Sequence, residues 1–154
     1  MVRLAELSEG QRRNAENLPC PTFETQPWVK GPPLSKRRVA IVSTAGLHGR
    51  DDRPFTRSAG DFYRIIPSTI NAGDLVMSHV SPNFDRSGFQ QDWNVVFPID
   101  LLKDFAQAGT IGSVADFHYS FMGADDPMRW EQQARFVADL LKKDKVNAVL
   151  LVPV

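Results

Sequence analysis

The run Arg38-Val39-Ala40-Ile41-Val42-Ser43-Thr44-Ala45-Gly46 decides the fold. Its apolar centre shows no polar alternation, so a strand built from it must be buried on both faces. It ends in small residues suited to a loop. A second run of the same kind, Ala148-Val149-Leu150-Leu151-Val152, lies near the other end of the sequence. Together they predict neighbouring central strands of a covered, largely parallel sheet. Residues 62–66 and 74–79 are further strand candidates. Two helices are expected between the outer strands. Asp100 is placed to cap residues 101–108, and Gly109 supplies the stop. Asp126 followed by Pro127 is a cap-then-first-turn pair opening residues 128–143. In that helix Trp130, Ala134, Val137 and Leu141 recur at helical spacing, with Phe136 and Leu140 widening the stripe. Glu131 sits near its positive end and Lys142 and Lys143 near its negative end, as the helix dipole favours. Helix alternating with strand is the grammar of an α/β domain with a largely parallel sheet covered by helices.

Outward from this core, residues 1–37 read differently. Residues 4–17 suit a short polar helix. Pro19, Pro21, Pro27, Pro32 and Pro33 then follow closely. Proline removes backbone donors and fixes φ, so this stretch is expected to be an extended arm, pressed onto the domain by Phe23, Trp28 and Leu34. The division is an arm over 1–37 and one α/β domain over 38–154. The 154 residues carry 18 basic and 18 acidic side chains. That balance lacks the basic excess that phosphate backbones require, so no nucleic-acid partner is expected. No apolar run approaches the roughly 20 residues of a membrane span, and Glu6 and Glu9 stand where an export signal would be apolar. The single cysteine, Cys20, cannot form an internal disulfide, which fits a reducing, cytoplasmic setting.

Candidate chemistry gathers after the predicted strands. Ser43, Thr44 and Gly46 follow the first strand, where ligands of open α/β sheets bind. Two hydroxyls and unhindered N–H groups there suit an anion such as a carboxylate; the alternative is a plain strand-to-loop turn. No glycine-rich dinucleotide fingerprint or phosphate-binding lysine motif is present. The three histidines, His48, His79 and His118, each fall near a candidate sheet edge. Converging, they would form an acid/base or metal cluster; otherwise they are unrelated loop residues. Two charged loops, Arg50-Asp51-Asp52-Arg53 and the stretch holding Asp85, Arg86 and Asp92, suit either a zwitterionic substrate or simple mutual pairing. Cys20, between two prolines and with no base beside it, reads as a structural or incidental thiol.

Residues 38–48 also resemble the opening strand and loop of the selenoprotein B family, the glycine, sarcosine, betaine and D-proline reductase proteins. The likeness continues through Tyr63-Arg64-Ile65-Ile66-Pro67, through Ser78-His79 to Phe84-Asp85, and through Asn94-Val95-Val96-Phe97-Pro98-Ile99-Asp100. It then runs through Ile111–Ala115, His118–Gly123 and Ala148–Val154. The resemblance implies reductive cleavage of a C–N bond in a small amino acid or its N-methylated relative. A selenolate or thiolate attacks carbon, a dithiol supplies electrons, and in some complexes a pyruvoyl group on a partner subunit activates the amine. It also implies that the strand resembling residues 147–154 leads directly into the selenocysteine or cysteine motif.

No cofactor is therefore expected within these residues. The chalcogen is expected immediately after Val154, with the domain incomplete at its C-terminus and the isolated chain inactive. One explanation is a selenocysteine codon read as a stop; a short or degenerate relative is the other. Three roles follow. The first is a reductase subunit with His48, His79 and His118 as catalytic candidates and Ser43, Thr44, Gly46 and Asp85 as substrate-binding candidates. The second is a non-catalytic module binding a small anion or metal. The third is an interaction domain docking through its arm. A sheet ending on a strand, with an exposed apolar helix stripe, invites pairing and leaves a homodimer open.

Overall fold

The structure, a computed structural model, describes residues 3–17, 21–56, 62–81, 84–123 and 126–154. Its strands are β1 (Arg38–Ser43), β2 (Leu47–Gly49), β3 (Tyr63–Pro67), β4 (Leu75–Met77), β5 (Ser113–Val114), β6 (Phe117–Phe121) and β7 (Ala148–Val152). Its α-helices are α1 (Glu9–Glu16), α2 (Ser87–Gln91), α3 (Ile99–Gln107) and α4 (Glu131–Lys143). β1 is the spine. It runs parallel to β5 and β6 on one side and to β7 on the other, and β3 adds antiparallel outside β6. β2 and β4 form a separate antiparallel ribbon.

The double-sided apolarity of β1 has the expected consequence, a core on each face. Val39 and Ile41 pack with Ile66, Phe97, Ile99 and Leu102, under α3 and the turn before it. Val42 lies on the other face with Tyr119, Phe121 and Val137, under α4. The α4 entry is built as its sequence dictates. The Asp126 carboxylate accepts from the Met128 N–H, Pro127 opens a 3₁₀ turn, and the α-helix proper begins at Glu131. Gly109 ends α3 with φ near +70, a conformation that costs glycine no Cβ clash.

The β1 neighbour is irregular, and the irregularity matters. Val39 pairs with Val114, yet Val42 pairs with Tyr119, so the neighbouring chain holds two residues more than β1 over this interval. This bulge leaves the Ile41 N–H without a carbonyl partner, and the His118 side chain fills the gap: its Nδ1 accepts from Ile41 N at 2.9 Å. Asp144 secures the other side. Its Oδ2 accepts from the N–H groups of Asp116 and Phe117 at 2.8 and 3.2 Å, and its Oδ1 pairs with Arg38. Burial alone would raise the Asp144 pKa. The Arg38 hydrogen bond and the two N–H donors outweigh it and hold the carboxylate below its ordinary range.

Several elements depart from the sequence expectation. Asp100 does not cap α3; it lies in the first turn, and its carboxylate accepts from Trp93 Nε1 and Asn94 Nδ2. The strand expected over residues 74–79 is only Leu75–Met77, and it joins the ribbon rather than the main sheet. β7 neighbours β1 as expected but pairs with no other described strand, leaving Val149, Leu150 and Leu151 exposed. Phe23, Trp28 and Leu34 do not press into the domain: they are 75%, 89% and 55% exposed. Residues 21–33 carry no helix or strand. Cys20 and Pro19 lie outside the described residues.

Candidate functional site

The carboxyl end of β1 is tightly wired. Thr44 N–H donates to Val152 O, Gly46 N–H to Phe121 O, Ala45 N–H to the Ser43 hydroxyl, and Leu47 N–H to the Ser120 hydroxyl. All four N–H groups of residues 44–47 thus have acceptors within the chain. The Thr44 hydroxyl accepts from Val154 N–H at 2.8 Å, fixing the residues after β7 beside this loop. Gly46, at φ +67, lets the backbone of His79 approach; an added Cβ would stand 3.2 Å from His79 N and Cα. Ser43, Thr44, Gly46 and His79 therefore share the carboxyl end of the sheet. Asp85 is set apart, with an exposed carboxylate that accepts from the N–H of Ser87, the first residue of α2, at 2.9 Å. That bond depresses its pKa.

The three histidines are all buried, at 2%, 4% and 0% exposure for His48, His79 and His118. They bond to different groups, and each set of partners fixes what its ring can do. His118 is not a loop residue; it lies within β6, between β1 and β3. Because Ile41 N–H donates to Nδ1, the ring proton sits on Nε2, which is buried without a partner among the described residues, and the Phe97 ring stands edge-on to the imidazole. Protonating Nδ1 would set two donors face to face. Burial, reinforced by the charges of Lys103 and Arg38 and opposed by Asp144, lowers the His118 pKa to about 4. His79 follows the same logic: Nδ1 accepts from Ser81 N at 3.2 Å, Nε2 is buried without a partner among the described residues, and Phe84 packs on the ring. Burial and the positive charge of Arg86, whose guanidinium donates to the His79 carbonyl, lower its pKa as well.

His48 differs. Its Nδ1 lies 2.6 Å from Gly49 O and its Nε2 lies 2.7 Å from Ser78 Oγ. A carbonyl only accepts, so Nδ1 carries a proton and the neutral Nε2 accepts from the serine hydroxyl. If Nε2 gains a proton, the hydroxyl rotates and accepts instead. Both charge states are therefore hydrogen-bonded without movement of a heavy atom. Ser78 was not singled out from the sequence. It lies 30 residues from His48, and only the ribbon register, with His48 opposite Val76, makes it a diagonal neighbour on the same face. Among the described residues no group of three or more His, Cys, Asp and Glu side chains is placed to hold a metal ion.

Sequence comparison adds the family. A family model described as glycine/sarcosine/betaine reductase selenoprotein B matches residues 9–154. The chain belongs to that family. Among curated relatives, the D-proline reductase subunit gamma of Acetoanaerobium sticklandii is 36% identical over 121 residues, covering 77% of this chain and 49% of the relative. The glycine reductase complex component B subunit gamma of Carboxydothermus hydrogenoformans is 30% identical over 145 residues, covering 87% of this chain and 32% of the relative. The sarcosine reductase complex component B subunit beta of Peptoclostridium acidaminophilum is 33% identical over 113 residues, covering 68% of this chain and 25% of the relative. The chain thus spans about half the length, or less, of these selenoprotein B relatives. No solved structure matches significantly. Among the described residues no helix is long and apolar enough to cross a membrane.

Proposed function

We propose that this selenoprotein B chain is a subunit of a reductase complex that cleaves the C–N bond of a small amino acid or its N-methylated relative, with His48 as the acid that protonates the departing amine. One observation carries the choice of His48 over its two rivals: it alone of the three has ring partners that suit the protonated imidazole as well as the neutral one. A general acid must hold and release a proton near the working pH, and a ring nitrogen that accepts from a fixed backbone N–H is barred from doing so. His79 contributes a buried Nε2–H that has no partner among the described residues, at the carboxyl end of the sheet, suited to orienting a substrate oxygen. Ser43, Thr44 and Gly46 act by position, since their hydroxyls and N–H groups serve the loop and the Val154 anchor. Asp85 lies on the exposed loop that also carries Arg86, where a zwitterionic substrate would meet both charges.

The redox group, selenocysteine or cysteine following Val154, would supply the attack on carbon and pass its electrons on as a dithiol/disulfide couple; a pyruvoyl group, where a complex uses one, would sit on a partner subunit. The anchor between Thr44 and Val154 supports that placement, since it sets whatever follows Val154 at the carboxyl end of β1. On this reading the 154-residue chain alone is inactive and the setting is the cytoplasm. A small-anion module in the same loop draws no support from N–H groups that are already bonded.

The test is dithiol-dependent C–N cleavage of glycine, sarcosine, betaine and D-proline, with partner subunits supplied. It compares the 154-residue form with one extended past Val154 by a selenocysteine or cysteine motif. Activity is expected only from the extended form, and His48→Gln should abolish it. Turnover by the short form that survives Cys20→Ala would falsify the assignment of the nucleophile.

A further inference from the structure

We propose that Ser78 is the outlet through which His48 exchanges its proton, so that the group meeting the substrate nitrogen is the serine hydroxyl rather than the imidazole. The inference rests on His48 being the acid. His48 is 2% exposed and both of its ring nitrogens are engaged, so no ligand reaches Nε2 without displacing Ser78. Ser78 is the more exposed of the pair, only half-buried. Its backbone is tied to the active end of the sheet, because Ser78 N–H donates to Gly46 O at 2.9 Å. Gly46 in turn borders His79 and lies two residues from the Thr44 anchor of Val154.

The transfer balances. In the cation, Nε2–H donates to Ser78 Oγ while Nδ1–H donates to Gly49 O. The Nε2–H bond breaks as a new O–H bond forms on Oγ. The original O–H breaks as an N–H forms on the departing amine. Ser78 ends as it began, His48 ends neutral with Nδ1–H still on Gly49 O, and no electrons change hands. Charged or titratable side chains on the elements packed around His48 are Arg50, Asp51 and Asp52 in its own turn, Asp74 at the head of β4, Tyr63 and Arg64 on β3, and His118 and Tyr119 on β6. The Asp52 carboxylate accepts from Gly49 N–H, the Asp74 carboxylate from Asn71 Nδ2, Arg50 donates to Gly73 O and Arg64 to Arg53 O, so those four groups are engaged away from the imidazole.

NMR of the imidazole nitrogens in the 154-residue chain separates the outcomes, with Ser78→Ala and Ser78→Thr compared with the unaltered chain over about pH 5 to 9. Removing the hydroxyl leaves a buried Nε2–H of the cation unpaired, so the His48 midpoint should fall by about one pH unit, and threonine should restore it. Exchange of the His48 Nε2 proton with water should slow several-fold in Ser78→Ala, because the outlet is gone. Faster exchange would show that the hydroxyl merely covers the nitrogen, and an unmoved midpoint would show that it does not engage it; either result overturns the relay. A wild-type His48 that does not titrate in this range overturns instead the assignment of His48 as the acid. If Ser78→Ala does not fold, Ser78→Cys, with a weaker donor of similar size, should give the same signs with smaller amplitudes.

Discussion

At the scale of single residues, hydrogen-bond direction does more than burial to separate three histidines that look alike in the sequence. His118 serves the backbone. Replacing it with leucine removes the acceptor of a buried Ile41 N–H and should cost about 2–4 kcal/mol, whereas His118→Asn sets an amide oxygen near the position of Nδ1 and should cost markedly less. Chemical denaturation at neutral pH measures the difference. Its acid linkage has a definite sign. The folded pKa of about 4 lies below the ordinary 6.5, so the unfolded chain binds the proton first. The stability that His118 contributes is complete above about pH 6.5, is lost as pH falls towards 4, and amounts to about 3 kcal/mol in all. His79, lowered in the same direction, steepens the loss. The denaturation midpoint should therefore drop between neutral pH and about pH 4, and the drop should be smaller in His118→Asn. An equal drop in both proteins would place the acid sensitivity elsewhere.

At the scale of elements, β1, β7 and α4 were legible in the sequence because each carries an unbroken physical signal: a run apolar on both faces, or a capped helix with an apolar stripe. β2, β5 and β6 were not. β2 and β5 are too short to show a period, and β6 reads Phe-His-Tyr-Ser-Phe, with His118 and Ser120 at 0% exposure. Those two polar side chains are inside because a bulge and a tight loop leave the N–H groups of Ile41 and Leu47 in need of acceptors, a demand that appears only once the strands are paired. The site was half legible for the same reason. His48 and His79 could be picked out by chemistry, but Ser78 becomes visible only through the register of β2 and β4. The bulge also predicts a sensitive partner outside β6. Asp144 holds Arg38 and the N–H groups of Asp116 and Phe117 while only 10% of its side chain is exposed. Asp144→Asn leaves Arg38 with only the exposed Asp116 carboxylate, at 3.0 Å, to balance its charge, and should destabilise the fold by about 2 kcal/mol. Asp139→Asn, whose partner Lys142 is well exposed, should change stability by less than about 0.5 kcal/mol. Equal effects of the two substitutions in urea titrations would mean that Asp144 does not clamp the bulge.

At the scale of the whole molecule, β3 and β7 both border the sheet among the described strands, and the two borders differ. β3 borders one end with Ile66 buried, whereas β7 presents Val149, Leu150 and Leu151 at 41%, 38% and 70% exposure. An open strand edge is usually guarded by lysine, proline or a bulge, and Ala148–Val152 has none of these. An aliphatic edge strand without gatekeepers is a template for another strand, so the chain should self-associate through β7 as its concentration rises. Leu151 is the place to test this, because little of it is buried and its replacement disturbs no core. Leu151→Lys should shift stability by less than about 0.5 kcal/mol while adding a charge that has to be desolvated for any strand to pair there. Sedimentation velocity over a concentration series should show association in the unaltered chain and its suppression in Leu151→Lys. Ala134→Lys, an equal charge change on exposed α4, should leave association as it was. Association that persists unchanged in Leu151→Lys would mean that β7 is not the contact.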